Sequence, residues 1–361
     1  MFSARGWSYS GSRRRRHRGA VRVRRRRLSV RWLPLLAVPA AILVGVAAFA
    51  AGAPALRIDA QSQTPAPIAA ERPLPTEPPT RAATLPPTQV PTPRPPTPTA
   101  TPEPIKPLLP DHRIVAYYGN PLAKEMGILG EVPPDQMIKR LKQQIAVYAA
   151  SDASRPIVPA LELVTPAAQG WAGEDGLYRA RMKPEVINQV ADWAEANDAL
   201  LILDVQIGLS TVPEEVDALM PYLRRPYVHL ALDPEFAIPS GHIPGQVVGT
   251  LDAAAIDGAV HTLSDLVASE HLPPKILIVH RFTDDMITNA WQISHDQNVQ
   301  VITTMDGFGP PALKLAQYHA YVHDQPHQFA GVKLFYHHDV PLLAPKDVLD
   351  LDPDPDLIIY Q

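Results

Sequence analysis

The stretch Tyr227-Val228-His229-Leu230-Ala231-Leu232-Asp233-Pro234-Glu235-Phe236 has the pattern of one short buried strand that runs directly into two acids. Because side chains on a strand alternate between its two faces, we expect Asp233 and Glu235 to point the same way. Both acids come where the apolar run ends, so neither interrupts it. The stretch therefore predicts a strand of a buried sheet that carries paired carboxylates at its carboxyl end.

Strands of the same kind recur from residue 111 to residue 361. Short, nearly continuous apolar runs alternate there with segments of helical spacing, which is typical of a parallel sheet covered on both faces. The strands are predicted at 114–118, 157–164, 200–206, 227–232, 275–280, 299–306, 331–336 and 356–360, and helices at 134–150, 184–197, 213–223, 253–269, 284–296 and 311–322. Eight such units predict an α/β fold, a (β/α)8 TIM barrel in a domain spanning 111–361. An open doubly wound sheet is the alternative, although no Gly-x-Gly-x-x-Gly follows the first strand, which disfavours a dinucleotide site.

The charge of the chain is unevenly distributed along its 361 residues. Twelve arginines and no acids lie in residues 1–31, so the net charge of −4 leaves 21 basic against 37 acidic residues for the rest. An acidic body argues against a nucleic-acid partner. The chain has no cysteine, which excludes disulfides, lipid attachment through cysteine and thiolate metal sites.

The N-terminal third divides into three segments. Residues 1–31 form a basic arm, predicted to be cytoplasmic, and residues 32–56 carry no charge and are long enough to span a membrane. Residues 57–110 are rich in proline and threonine and cannot bury a core, so they predict a disordered linker. We therefore expect a single-pass protein of a bacterial cell membrane with the barrel outside. The small residues at 48–53 also resemble a signal-peptide cleavage site, and cleavage there would give a secreted protein.

In a barrel of this kind the active site lies at the carboxyl ends of the strands. The residues predicted there as catalytic are Glu235, Asp233, Asp204 and Asp306. Those predicted to bind substrate are His280, Lys333, Tyr336, Gln206, Glu162, Trp171, Tyr178 and Tyr118. Crowding two acids in a partly dry barrel mouth raises the pKa of one, which leaves one protonated and one ionised near neutral pH. That difference suits cleavage of a glycosidic bond.

Two motifs resemble glycoside hydrolases, among them chitinase-like and lysozyme-like families. They are Val115-Ala116-Tyr117-Tyr118-Gly119 in the first strand and the Asp-x-Glu at the end of the fourth. The resemblance implies that Glu235 is the general acid and that Asp233 assists an acetamido group. The fuller chitinase pattern has further aspartates two and five residues before that Asp, where this chain has Ala231 and Val228. The proline between the two acids is a second departure.

Two alternatives remain open at this point. Carboxylates with one histidine are the ligands of hard cations, so a hydrolase dependent on Mg, Mn or Ca is the first alternative to an enzyme without a cofactor. Its ligands would come from Glu162, Asp204, Asp233, Glu235, His280 and Asp306. A surface barrel that binds glycan without cleaving it is the second alternative. The expected partners are a glycan or cell-wall polymer and, through residues 32–56, a membrane.

Overall fold

Residues 106–361 are described by a computed structural model of the chain. Eight parallel strands in these residues form a closed barrel. They are β1 (Arg113–Gly119), β2 (Ile157–Val164), β3 (Leu200–Val205), β4 (Val228–Leu232), β5 (Lys275–Arg281), β6 (Val299–Met305), β7 (Phe329–Leu334) and β8 (Leu357–Tyr360). Each strand pairs with the next in chain order, and β1 pairs with β8 in the register Ile114 to Leu357, which closes the barrel. The predicted barrel is confirmed, and the open sheet was wrong.

The predicted arm, the predicted membrane segment and the linker up to residue 105 lie outside the described residues. Within 106–361, none of the helices combines the length and the apolar character needed to cross a bilayer.

Helices cover the outside of the barrel. They are α1 (Ile128–Glu131), α2 (Pro134–Ser151), α3 (Pro184–Glu195), α4 (Val212–Leu223), α5 (Ala253–Glu270), α6 (Pro311–Tyr318) and α7 (Pro345–Leu349). Four of them begin at a proline, which suits the first helical position because no hydrogen-bond partner is needed there for a backbone N–H. One of the two longest, α2, buries Met137, Leu141 and Tyr148 along one face.

The helix predicted at 284–296 was wrong. Instead, Asp284–Met286 and Ala290–Gln292 form single 3₁₀ turns, and Ile287–Thr288 pairs in parallel with Leu251–Asp252. Asn289 adopts a left-handed conformation with φ 55°, which no α-helix contains. The connection between β5 and β6 therefore contains no α-helix, although the sequence predicted one there.

The barrel interior has an apolar middle and a charged top. The middle layers contain mainly alanine and isoleucine side chains: Ile114, Ala116, Ala160, Ile202, Ala231, Ile278, Ile302 and Ile359. Next to them, at the carboxyl ends of the strands, lie the buried ionisable side chains, which include Glu162, Asp204, His280, Asp306 and Lys333. Because the layers below are apolar and packed, water reaches these groups only from the barrel mouth, here meaning the carboxyl ends of the strands.

The opposite end of the barrel is closed by the segment before β1. Leu109 is buried there and packs with the interior residues. Gln300, near the start of β6, accepts hydrogen bonds at Oε1 from the backbone amides of Leu108 and Leu109, both at 3.1 Å. Its Nε2 donates to the carbonyl of Leu109 at 2.7 Å. The chain thus enters the fold at the bottom of the barrel and closes it.

Candidate active site

Strand alternation brings polar side chains from seven strands to the barrel mouth. Apolar inward residues of each strand are followed two positions later by a polar one, as in Ile278 and His280 on β5 or Ile202 and Asp204 on β3. We call the resulting group the mouth cluster: Tyr118, Glu162, Asp204, Gln206, Asp233, Glu235, His280, Asp306 and Lys333. Nine of the twelve residues predicted as catalytic or substrate-binding belong to this group. The three exceptions, Tyr336, Trp171 and Tyr178, are described below.

His280 lies at the centre of the cluster and its side chain is fully buried. Its Nε2 lies 3.0 Å from Oε1 of Glu162 and 3.9 Å from Oδ1 of Asp204, and its Nδ1 lies 3.3 Å from Oδ2 of Asp306. Burial alone would lower the pKa of His280, but the hydrogen bonds and negative charges of Asp306 and Glu162 raise it well above its usual value. The imidazole therefore carries a positive charge among three carboxyl groups.

Tyr118 holds the second contact to Asp204. Its hydroxyl donates to Oδ2 of Asp204 at 2.9 Å and accepts from Nε2 of Gln206 at 3.3 Å. The ammonium of Lys333 lies 3.5 Å from the centre of the Tyr118 ring, close enough for a cation–π contact. Burial and the charge of Asp204 raise the pKa of Tyr118 well above its usual value, so its hydroxyl stays a donor.

Asp306 is the carboxyl group of the cluster that stays ionised. Burial would raise the pKa of Asp306, but the hydrogen bond and charge of His280 and the charge of Lys333, 3.9 Å away, lower it overall. Asp204 has the opposite shift: burial, together with the charge of Glu162, raises its pKa to about 6. Neighbouring carboxyl groups in one site therefore differ in their protonation near neutral pH.

Asp233 and Glu235 lie at the entrance; alternation along β4 accounts for Asp233, two residues after the inward Ala231, but not for Glu235. β4 ends at Leu232, and Pro234–Phe236 forms a 3₁₀ turn that begins directly after Asp233. The amide of Gly249 donates to the carbonyl of Glu235 at 2.6 Å and fixes this turn. The expectation that the two acids share one strand face was therefore wrong, because the turn positions Glu235.

The two acids of this turn have raised pKa values. Burial and the charge of Asp306 raise the pKa of Glu235, which is partly exposed, to about 7. Burial and the charge of Asp204 raise the pKa of Asp233 well above its usual value. Near pH 7 Glu235 is therefore poised between its two forms, and Asp233 holds its proton to a higher pH than an ordinary aspartate does.

Several buried polar atoms of the mouth cluster have no hydrogen-bond partner among the described residues. Four are carboxyl oxygens, namely Oε2 of Glu162, Oδ1 of Asp204, Oδ1 of Asp233 and Oδ1 of Asp306, and beside them Nδ1 of His280 and Oγ1 of Thr304 also have none. A buried polar atom without a partner costs about 1–3 kcal/mol. The group that would satisfy these oxygens is a bound molecule rich in hydroxyl or other donors.

Part of the cluster also matches a cation site. Glu162, Asp204 and His280 each offer one ligand atom, these atoms lie within 4.8 Å of one another, and all three residues are buried. Oδ2 of Asp306 lies 3.3 Å from Nδ1, the other imidazole nitrogen, where a carboxylate orients the ring of a histidine that binds a metal through Nε2. Two carboxylates and one imidazole suit Mn²⁺ better than Mg²⁺ or Ca²⁺, which prefer oxygen ligands alone.

Tyr336 is not brought into the mouth cluster. Its hydroxyl lies 3.0 Å from that of Tyr117, and its ring stacks on Tyr360 with centroids 5.1 Å apart. Tyr117 and Tyr360 belong to the core between the barrel and its helices. Tyr336 therefore packs on the outer side of the barrel wall.

The loop between β2 and α3 carries two further predicted residues. Trp171 is 54% exposed, and Tyr178 accepts a backbone hydrogen bond from Gln169 at 2.8 Å. Arg179–Ala180 pairs with Ala167–Ala168 in a small antiparallel sheet that holds this loop. Neither aromatic side chain has a hydrogen bond or ring contact with the cluster in the described residues.

A buried ion pair that supports the site was not predicted. Lys314 on α6 pairs with Asp339 at 2.7 Å and donates to the carbonyl of Lys333 at 2.7 Å. Asp339 accepts from the amides of Gly309 and Phe335 at 2.8 and 2.9 Å. These bonds tie the loop after Asp306 to the end of β7. Lys314 sits in a helical pattern and Asp339 in a loop, so neither had a sequence signal of burial.

No protein-family model and no curated protein sequence matches the chain. Solved structures that are similar include the N-terminal domain of a protein described as an aldolase from Bacteroides vulgatus, with TM-score 0.31, 11% identity, and coverage of 69% of this chain and 72% of that one. They also include active domain 2 of a thermostable chitinase from Pyrococcus furiosus in complex with chito-oligosaccharides, with TM-score 0.31, 12% identity, and coverage of 64% and 85%. At these scores the comparison assigns no residue a role, and the function has to be argued from the mouth cluster.

Proposed function

We propose that the protein is a hydrolase that cleaves glycosidic bonds at the barrel mouth. The observation that carries the proposal is the difference in pKa between two carboxyl groups of one site. Glu235, with a pKa of about 7, supplies a proton near neutral pH, whereas Asp306, with a lowered pKa, stays ionised. Glycoside hydrolysis requires one carboxylic acid that protonates the leaving oxygen and one carboxylate that acts on the anomeric centre or on the attacking water.

Each of the other acids has a supporting role in this mechanism. Glu235 is the general acid, as the resemblance implied, and Asp306 takes the role of ionised partner. Asp233, with its raised pKa, is a neutral donor to the sugar. Asp204 is held by Tyr118 and, with Glu162, keeps a free oxygen that accepts from sugar hydroxyls. A polyhydroxyl substrate thus supplies the donors that the cluster lacks.

The first test measures turnover and binding separately. Removal of a general acid lowers turnover by about 10²–10⁴-fold. We expect Glu235→Gln to lose at least about 100-fold in reducing-sugar release from soluble chitin, cellulose, xylan or peptidoglycan fragments, with binding of the cleaved glycan retained. Glu195→Gln, which is exposed at the end of α3 just before β3 begins and so lies at the end of the barrel opposite the mouth, is the matched control and keeps full turnover. Binding without turnover by the unaltered protein would identify the non-catalytic glycan-binding barrel instead.

A second candidate is a hydrolase that depends on a divalent cation held by Glu162, Asp204 and His280, in which His280 would release its Nε2 proton to solvent as the cation binds. The observation that favours it is the convergence of these three buried ligand atoms within 4.8 Å. Exhaustive chelation separates the two candidates. Turnover that is lost on chelation and restored by Mg²⁺, Mn²⁺ or Ca²⁺ supports the second candidate, and turnover that survives chelation supports the first.

The cellular setting is part of the proposal. Residues 32–56 are predicted to anchor the chain in a membrane and 57–110 to space the barrel from it, which places a glycan or cell-wall polymer within reach. Fractionation of cells that express the full chain, followed by protease treatment of intact cells, tests this placement. Protection of the barrel from external protease would contradict it.

A further inference from the structure

The crossover between β5 and β6 leaves a cleft on the flank of the barrel. We call it the flank cleft; its floor is Arg281 and Thr303, one wall is formed by residues 284–293, and the other by residues 324–327. It has a volume of about 640 Å³, which lies in the range of about 300–1,000 Å³ that small-molecule sites occupy. The cleft exists because no helix covers β5 and β6 where one was expected.

The flank cleft is separated from the mouth cluster by the barrel wall. On β5, His280 points into the barrel, so its neighbour Arg281 points outward. On β6, Thr303 and Thr304 are related in the same way, with Thr304 inward against Gly331 and Thr303 on the cleft floor. A molecule in the flank cleft therefore contacts the outer face of the two strands whose inner faces carry His280 and Asp306.

Hydrogen bonds hold the two walls of the flank cleft together. Arg281 is 2% exposed and donates to Oε1 of Gln325 at 2.8 Å and to Oδ1 of Asp284 at 2.9 Å. Gln325 in turn donates to Oδ1 of Asp284 at 3.1 Å. One buried guanidinium thus joins both walls to the floor, so the cleft is preformed and loses little freedom when it binds.

An aromatic ring stands at the edge of this cleft. Trp291 lines it and is 84% exposed, the highest value among the exposed large hydrophobic side chains of the described residues. It follows Asn289, whose left-handed backbone is held by a hydrogen bond from its Nδ2 to Asp252 at 2.6 Å. The strained turn therefore presents the indole to solvent rather than to the core.

The lining of the flank cleft selects the chemistry of its ligand. Acidic and amide side chains (Asp284, Asp285, Asn289, Asp324 and Gln325) line it together with one exposed indole. The acids disfavour phosphates and other anions. Ile287, Ala290 and Pro326 give the same cleft an apolar part, so its lining is amphipathic. Hydroxyl groups donate to carboxylates, and the C–H face of a sugar ring packs on an aromatic face. We propose that the flank cleft binds a segment of an uncharged polysaccharide, with one sugar ring on Trp291 and its hydroxyls on the acids beside it.

This site differs from the one used for cleavage, because it holds a chain without supplying any reacting group. It is independent of the proposed function, since a non-catalytic barrel would also use it. For a long polymer it supplies a second point of attachment on the same protein, which strengthens retention more than either site alone.

The test is native affinity electrophoresis of the full chain in gels that contain hydroxyethyl cellulose, glycol chitin, xylan or mannan. The protein carries Glu235→Gln in every lane, so cleavage cannot alter the gel. Loss of about 1 kcal/mol of stacking is about a five-fold change in affinity. We expect Trp291→Ala and Asp285→Ala each to weaken retardation by at least about five-fold in one of the gels. Leu315→Ala, which removes another exposed apolar side chain from α6, leaves it unchanged.

Each outcome decides the proposal. Both substitutions are on exposed side chains, and equal thermal unfolding midpoints verify that the fold is kept. Retardation that is lost with Trp291→Ala and Asp285→Ala supports the site. Retardation by none of the four glycans, or retardation that both variants retain, overturns it. Turnover by protein with native Glu235 is measured separately, so the failure of this site and the failure of the proposed hydrolase are distinguishable.

Discussion

Replacing Lys333 by methionine tests whether the mouth cluster depends on charge balance. Methionine keeps an unbranched side chain of similar length but removes the ammonium, which lies 3.9 Å from Asp306 and 3.5 Å from the ring centre of Tyr118. A charge pair at 3.9 Å has a Coulomb energy of about 4 kcal/mol at an effective dielectric of about 20. Because Lys333 gives up hydration to be buried and His280 still faces Asp306, we expect a net loss of about 2–3 kcal/mol in the free energy of unfolding at pH 7.

The pH dependence of this loss is the sharper part of the prediction. In the native protein the pKa of Asp306 is below its usual value, so this carboxylate stabilises the fold above pH 4 and the contribution is lost as pH falls through its folded pKa. Without Lys333 the pKa of Asp306 rises, and those of Asp204 and Glu235 rise with it, since Lys333 lowers both. At low pH these carboxyl groups take up protons, which relieves the cost of burying them without the ammonium. The loss of unfolding free energy caused by Lys333→Met is therefore larger at pH 7 than at pH 5 by about 1 kcal/mol or more.

Urea denaturation followed by circular dichroism at pH 5 and pH 7 measures both losses. Lys275→Met is the matched control, because Lys275 is a buried lysine at the other end of the barrel that donates only to the carbonyls of Arg225 and Val228. Burial lowers the pKa of Lys275 to about 8, so it is charged at both pH values and its replacement costs the same at each. A loss for Lys333→Met that is equal at the two pH values, or larger at pH 5, would refute the reasoning.

Three further predictions concern single side chains. Tyr118→Phe removes a donor to Asp204 and raises the pKa of that carboxyl above about 6, which carboxyl carbon NMR measures; an unchanged pKa would contradict the contact. Burial lowers the pKa of His229 to about 3, so the unfolded state takes up the proton first and stability falls by about 2 kcal/mol from pH 7 to pH 5 through this group. Denaturation of His229→Asn should show a dependence of stability on pH that is flatter by that amount, and an equal slope would show that burial does not lower the pKa of His229. Gln300→Ala removes three hydrogen bonds from the segment at Leu108 and Leu109 and lowers stability by about 2–4 kcal/mol, with faster hydrogen exchange at those two amides; a loss under about 1 kcal/mol would mean that this segment does not close the barrel.

The barrel was predictable because its strands carry a strong local signal. Eight apolar runs at regular spacing leave few arrangements other than a parallel barrel, and the ends of most runs were placed within two residues. The helix at 284–296 failed for a local reason. Met286 and Ile293 have helical spacing, which favoured a helix. However, Asn289 takes a left-handed conformation and Ile287–Thr288 pairs with Leu251–Asp252, and the spacing of apolar residues predicts neither feature.

The mouth cluster was predictable wherever side chains alternate regularly between the two faces of a strand. Asp204 and His280 each lie two residues after an inward isoleucine, so the same face carries the apolar and the polar residue. The same alternation explains why Tyr336 was predicted wrongly: it lies three residues after the inward Lys333, on the other face, and two positions beyond the end of β7. Glu235 lies at the mouth, as expected, but for another reason: the turn after β4 puts it there, whereas the prediction relied on the alternation of side chains along a strand.

Closure of the barrel by Leu109 determines from which side the protein is held. The polypeptide before Lys106 joins the barrel at the end opposite to Glu235, and so whatever fixes that polypeptide approaches the closed base. A pull on it is first resisted by the three hydrogen bonds of Gln300, far from the acids. Under the proposed anchor and the proposed function, mechanical tension and catalysis fall at opposite poles of one cylinder, and a polymer can cross the open pole without meeting the support.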